Sequence, residues 1–211
     1  MMLRRSFLSR FSATAAVFGI GQPSASSSSS QASFQAAHHA QDDWFDQVPG
    51  KHRVVFDTWN AVKFQEAVQF TGNYVRVNKD AYGLADKDIA VVMVVRHRTA
   101  PFAFNDAMWA KYGKAFSDRM EFTDPKTHEP PATNLYAGPL GALLKQGVHL
   151  AVCSLTTRSY AQRLAEQTKS TADDVFKELT SNTIGTSHFV PAGVVAVTRA
   201  QERGYVLVSV G

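Results

Sequence analysis

Residues 88–95 read Asp88-Ile89-Ala90-Val91-Val92-Met93-Val94-Val95, and residues 148–152 read Val148-His149-Leu150-Ala151-Val152. The first run never alternates apolar with polar side chains after its opening aspartate, and the second is interrupted only by His149. A strand that is apolar on both sides must be covered on both faces, which is the situation of a central strand in a parallel sheet. The two runs are therefore expected to be central and mutually parallel, with Val92, Val94, Leu150 and Val152 buried.

The flanking sequence supplies the rest of that sheet. Residues 51–57 contain the apolar run Val54, Val55 and Phe56, a first strand. Asp57 and Thr58 then offer a helix cap. Residues 59–78 place Val62, Phe64, Ala67, Phe70, Tyr74 and Val77 on one side of a helix, so the chain opens as a βαβ unit. Beyond the second strand, residues 104–112 read as a helix, 115–138 as a polar, proline-containing surface connection, and 139–146 as a short helix stopped by Gly147. The third strand is followed by helices over 156–167 and 172–179, the latter capped by Thr171. A fourth strand at 187–190, a helix at 192–203 closed by Gly204, and a last strand at 205–210 complete the pattern. Five strands alternating with helices imply an α/β fold with a doubly wound sheet and helices on both faces.

Residues 1–37 are expected to lie outside that fold. Arg4 and Arg5 precede Ser6, Phe7 and Leu8, and a modest apolar run follows from Phe11 to Ile20. A basic start, an apolar middle and small residues beyond are the layout of a secretory signal. The order Arg-Arg-Ser-Phe-Leu resembles a twin-arginine signal, which implies export of an already folded protein to the periplasm or beyond. The apolar run is shorter than the roughly 20 residues a bilayer span requires, so no transmembrane segment is expected after processing. Cleavage is expected between Ala25 and Ala37, with the serines Ser26 to Ser30 forming a linker too polar to order itself. Residues 38–50, including His38 and His39, read as a flexible tail, and the domain is expected over 51–211.

The formal net charge is +4, from 22 Lys and Arg against 18 Asp and Glu. Arg4, Arg5 and Arg10 belong to the signal segment, which leaves 19 against 18 for the remainder, a balance of +1. Nearly neutral charge gives no cationic face for nucleic acid. No glycine-rich loop follows a strand, so no nucleotide cofactor is implied. Nor does the spacing of the histidines assemble the three or four ligands of a metal site.

Ligands of open parallel sheets bind beyond the carboxyl ends of the strands. The residues leaving those ends are Asp57, His97, Cys153, and Pro191 with Gly193. Cys153 is the single cysteine and the one strong nucleophile among them. It precedes a helix, whose positive end favours a thiolate, and Arg158 adds to this if its side chain folds back. The alternative for each is structural: Cys153 as a small packing residue, His97 as a surface residue, Asp57 as a helix cap, and Pro191 with Gly193 as a tight entry to the last helix. His149 and His188 lie in or at the start of strands and read as structural.

The pattern Gly147-Val148-His149-Leu150-Ala151-Val152-Cys153 with Thr156, then Phe189-Val190-Pro191-Ala192-Gly193-Val194 and Gln201-Glu202-Arg203-Gly204-Tyr205, resembles the DsrE/DsrF-like family of small sulfur-handling proteins. The resemblance implies a three-layer α/β/α sandwich with a mostly parallel five-stranded sheet, often assembled into trimers or hexamers. It also implies a persulfide carried on one cysteine at a strand end, a position matched by Cys153. On that reading the partners are a sulfane-sulfur donor and an acceptor thiol. The competing reading is a non-catalytic module that binds a small ligand or partner at the strand ends.

Overall fold

The computed structural model describes residues 35–211. Its strands are β1 (His52–Thr58), β2 (Ile89–Val95), β3 (Val148–Cys153), β4 (Ser187–Val190) and β5 (Val206–Val210). They form one sheet in the order β4-β3-β2-β1-β5, and every neighbouring pair is parallel. The register sets Phe56, Met93 and Leu150 in one row across the middle. Val92, Val94, Leu150 and Val152 are all 0% exposed, as the unalternating runs require. The fold is α/β, an all-parallel sheet flanked by helices on both sides, consistent with a three-layer sandwich.

The helices are α1 (Trp44–Gln47), α2 (Phe64–Tyr82), α3 (Asp106–Met120), α4 (Ala137–Lys145), α5 (Ser154–Thr168), α6 (Ala172–Ser181) and α7 (Gly193–Glu202). Their distribution follows from the hand of the crossovers. Three connections, β1 to β2, β2 to β3 and β3 to β4, step across the sheet in one direction. Right-handed crossovers in one direction place their helices on one face. Accordingly α2 to α6 pack on Val54, Phe56, Val91, Met93, Leu150 and Val152. The last connection steps back past β1, which sends α7 alone to the opposite face.

One helix of ten residues cannot cover that second face, and the chain preceding β1 completes it. Residues 38–50 are thus not the flexible tail expected from their composition. Phe45 is 0% and Val48 2% exposed, packed with Val55, Val92, Val94 and Ala151. Arg53 donates to the carbonyls of Gly50, Phe45 and Val48, and the Tyr205 hydroxyl donates to the Phe45 carbonyl at 2.8 Å. Trp44 stacks on the His188 ring at 4.0 Å. The domain therefore begins ahead of residue 51, and the sequence concealed this because Trp44, Phe45 and Val48 are the only large apolar side chains that carry the contact.

Two other boundaries shift. Helix α2 starts at Phe64, and Asp57 does not cap it, because β1 continues through Thr58 and the carboxylate is engaged elsewhere. Helix α3 runs on to Met120, into the stretch expected to be surface connection, burying Phe116 and Met120. The remainder of that connection is pinned by Asn134, whose amide donates to the carbonyls of Phe102 and Phe104 at 2.8 and 2.7 Å. No helix of the described residues is long and apolar enough to cross a membrane. The residues expected to form a twin-arginine signal, and the serine run after them, lie in residues 1–34, outside the described residues.

Candidate functional site

The site is built where β1, β2, β3 and β4 end. Side chains alternate along a strand, so Val55 and Asp57, Val92, Val94 and Arg96, and Ala151 and Cys153 all point to the face that carries α7. Asp57, Arg96 and Cys153 are the members of that series at the carboxyl edge.

Helix α5 begins at the sulfur itself. Cys153 occupies the N-cap position with extended backbone, and Sγ accepts from the Thr156 backbone N–H at 3.4 Å and from the Thr156 hydroxyl at 3.3 Å. A thiol side chain thus fills the place usually taken by serine or aspartate. The Thr156 oxygen in turn accepts from the His97 backbone N–H at 3.2 Å. Thr157 ties the same turn down by donating to the Cys153 carbonyl at 3.0 Å.

Arg96 supplies the positive charge. Its Nε and one terminal nitrogen donate to the two Asp57 oxygens at 2.7 and 2.8 Å, a bidentate pair between neighbouring strand ends. Hydrogen bonding to Asp57 raises the Arg96 pKa, with the charges of Asp57 and of a Cys153 thiolate adding to it. Gly193 leaves the room this side chain needs. A Cβ there would lie 2.6 Å from Arg96 Cβ and 2.9 Å from its Cδ. Pro191 contributes its carbonyl, which accepts from the Leu155 N–H at 3.2 Å.

Between Arg96 and Thr99 the backbone turns sharply into a 3-10 helix, His97–Ala103. His97 has φ +54°, a left-handed conformation costing about 1–2 kcal/mol for a residue with a side chain. The turn is held by Thr99, fully buried, whose hydroxyl accepts from the Arg96 N–H at 3.1 Å and lies 2.8 Å from the Thr58 carbonyl. The His97 ring itself is exposed. Partial burial, then the charges of Arg98, Arg96 and Arg119, lower its pKa.

Of the residues singled out from sequence, the structure gathers Asp57, Cys153, Thr156, Pro191 and Gly193, with His97 present through its backbone. Arg158 does not belong. It points toward α6, with its guanidinium 4.0 Å from the Phe176 ring centre and 3.7 Å from Asp173. The arginine on the Cys153 face is Arg96, paired with Asp57. Reading parity outward from Val92 and Val94 identifies Arg96, since it continues the same face one step past the strand.

Away from the edge, His149 and His188 face each other on β3 and β4, ring nitrogens 3.3 Å apart, beneath Trp44. Burial lowers both pKa values. Among the described residues no three His, Cys, Asp or Glu side chains converge as a metal site would need.

No protein-family model and no curated protein matches the chain. Among solved structures, a protein of unknown function from Methanobacterium thermoautotrophicum aligns with a TM-score of 0.45 at 16% identity, over 75% of this chain and 99% of that one.

Proposed function

We propose that this chain is an exported DsrE/DsrF-like protein that carries sulfur as a persulfide on Cys153. The observation that carries the reading is the sulfur's environment: two donors from Thr156 at the head of α5, with the Arg96 guanidinium on the same face. Hydrogen-bond donors, a helix N-terminus and a cation favour negative charge on a thiolate and on the persulfide that follows it. Export rests on Arg4, Arg5 and the apolar run after them.

The transfer balances as two exchanges. The Cys153 thiolate attacks the outer sulfur of a donor persulfide, R–S–SH; its S–S bond breaks, R–S⁻ leaves, and Cys153–S–SH forms with the proton still on the transferred sulfur. An acceptor thiolate then attacks that outer sulfur and releases the Cys153 thiolate. Thr156 orients the nucleophile, and Arg96, held by Asp57, adds a favourable field on the same face of the sheet. Leu155 and Val194, 66% and 59% exposed on the first turns of α5 and α7, give the site an apolar lip suited to a protein donor or acceptor.

One observation favours the second reading, a binding module in which Cys153 only caps α5: the residue is 4% exposed. Labelling separates the two. In the carrier reading, native protein reacts with iodoacetamide near neutral pH, inorganic polysulfide adds one reductant-labile sulfur to the intact mass, and Cys153→Ser abolishes the addition while remaining folded. A thiol modified only after denaturation refutes the carrier and leaves the module.

A further inference from the structure

A cavity of about 440 Å³ lies on the opposite face from Cys153, between the first turns of α2, the loop after α3 and the start of α4. Its lining includes Val68, Leu135 and Pro139 together with Gln65, Gln69 and Tyr136. The volume falls in the range of small-molecule sites, which combine apolar walls with a few polar groups that fix orientation. Tyr136 is such a group. The residue is 8% exposed, its ring is held edge-on by Phe64 and Phe102, and its hydroxyl makes no hydrogen bond within the described residues. Burial, then the charge of Asp124, raises its pKa, so it remains a donor.

Two features define what would fit. The first turns of α2 and α4 both border the cavity, and the positive ends of helices favour an oxygen acceptor. Asp124 and Lys126 bring one charge of each sign to the lining, which favours a ligand with no net charge. Tyr136, Pro125 and Pro139 bring three rings to the lining, which suits a ring-containing ligand.

We infer that this cavity binds an uncharged, ring-containing molecule through a carbonyl oxygen that accepts from the Tyr136 hydroxyl. The site is independent of Cys153 and of sulfur transfer. The aromatic cluster links it to the rest of the fold, since Tyr136 packs on Phe102 in the 3-10 helix that opens at His97.

Acetanilide is a suitable probe, titrated into the ¹⁵N-labelled full chain and followed by amide chemical shifts. The expected result is saturable shifts at Val68, Gln69, Leu135 and Tyr136. Gln69→Trp, an exposed position at the cavity wall, abolishes them, and its own spectrum reports that the fold is intact. Tyr136→Phe, which keeps the ring, weakens binding about fivefold, the loss of one hydrogen bond. Benzoate, of similar shape but charged, binds less tightly than acetanilide. Absence of saturable shifts at these amides, shifts unchanged in both variants, or tighter binding of benzoate would overturn the inference.

Discussion

Replacing Gly193 by alanine is expected to destabilise the protein by about 2.5–4.5 kcal/mol, and the estimate comes from two contacts. The added Cβ would lie 2.6 Å from Arg96 Cβ, 3.2 Å from Cγ and 2.9 Å from Cδ. The outer part of the arginine can swing away, but its Cβ is fixed by the backbone, which donates from Arg96 N to the Thr58 carbonyl and the Thr99 hydroxyl. Carbon atoms are comfortable at about 3.5–4.0 Å, so the first turn of α7 must retreat by about 1 Å. Overpacking of that kind costs about 1–3 kcal/mol. If Arg96 also leaves Asp57, a carboxylate only 9% exposed loses two charge-assisted hydrogen bonds. Arg96 is 26% exposed, so solvent screening keeps this second contribution near the lower end of about 1.5–3 kcal/mol. Urea unfolding of the full chain reads the total. Arg96→Ala retains the offending Cβ and should rescue little, whereas in an Arg96→Gly background Gly193→Ala should cost less than about 1 kcal/mol. Wild-type stability of the single variant, or an equal cost in the glycine background, would refute the argument.

Phe45→Ala should cost about 3–5 kcal/mol in the same assay, as for a core aromatic, although Phe45 precedes the first strand. A loss below 1 kcal/mol, on the order of a surface change, would mean that this layer is dispensable. The lowered pKa values of His149 and His188 set a pH dependence, because the unfolded chain takes up protons first as the pH falls. The stability these groups confer is complete above about pH 6.5 and is lost below it as they protonate. His149→Gln should therefore show a shallower decline between about pH 7 and pH 5, and an unaltered slope would contradict this reading. Thr156→Val removes one donor from Sγ and should slow iodoacetamide labelling of Cys153, while Cys153→Ser keeps the cap and the fold. Arg4→Lys with Arg5→Lys should leave precursor in the cytoplasm, and continued export would exclude the twin-arginine assignment.

The strands were legible because burial on both faces imposes composition directly. Residues in β2 have no polar option and β3 admits only His149, and their boundaries in the sequence and the structure differ by a residue at most. Helix starts were harder. Asp57 and Thr58 have the chemistry of a cap, but a carboxylate beside an arginine on the next strand gains more from a bidentate pair than from one N–H. The extension of α3 was missed because residues 115–120 are mostly polar or small, and only Phe116 and Met120 mark the buried side. The layer formed by residues 40–48 depends on strand order, which periodicity does not encode.

That strand order also explains why the edge residues were partly legible. Any residue leaving a parallel strand is near the edge, so Asp57, Cys153 and Gly193 could be named from position alone. Whether two of them meet depends on which strands are neighbours and on parity. Strand β2 lies between β1 and β3, so a side chain leaving it on the α7 face reaches both Asp57 and the surroundings of Cys153. Arg96 has that parity, while at His97 the backbone turns left-handed, leaving the ring exposed and the backbone N–H directed to Thr156. Arg158 is close to Cys153 in sequence but lies on a helix that turns its side chain toward α6, where Asp173 and Phe176 hold it. In a sheet of this kind, a cation one strand away on the correct face is better placed than one a single helical turn along the chain.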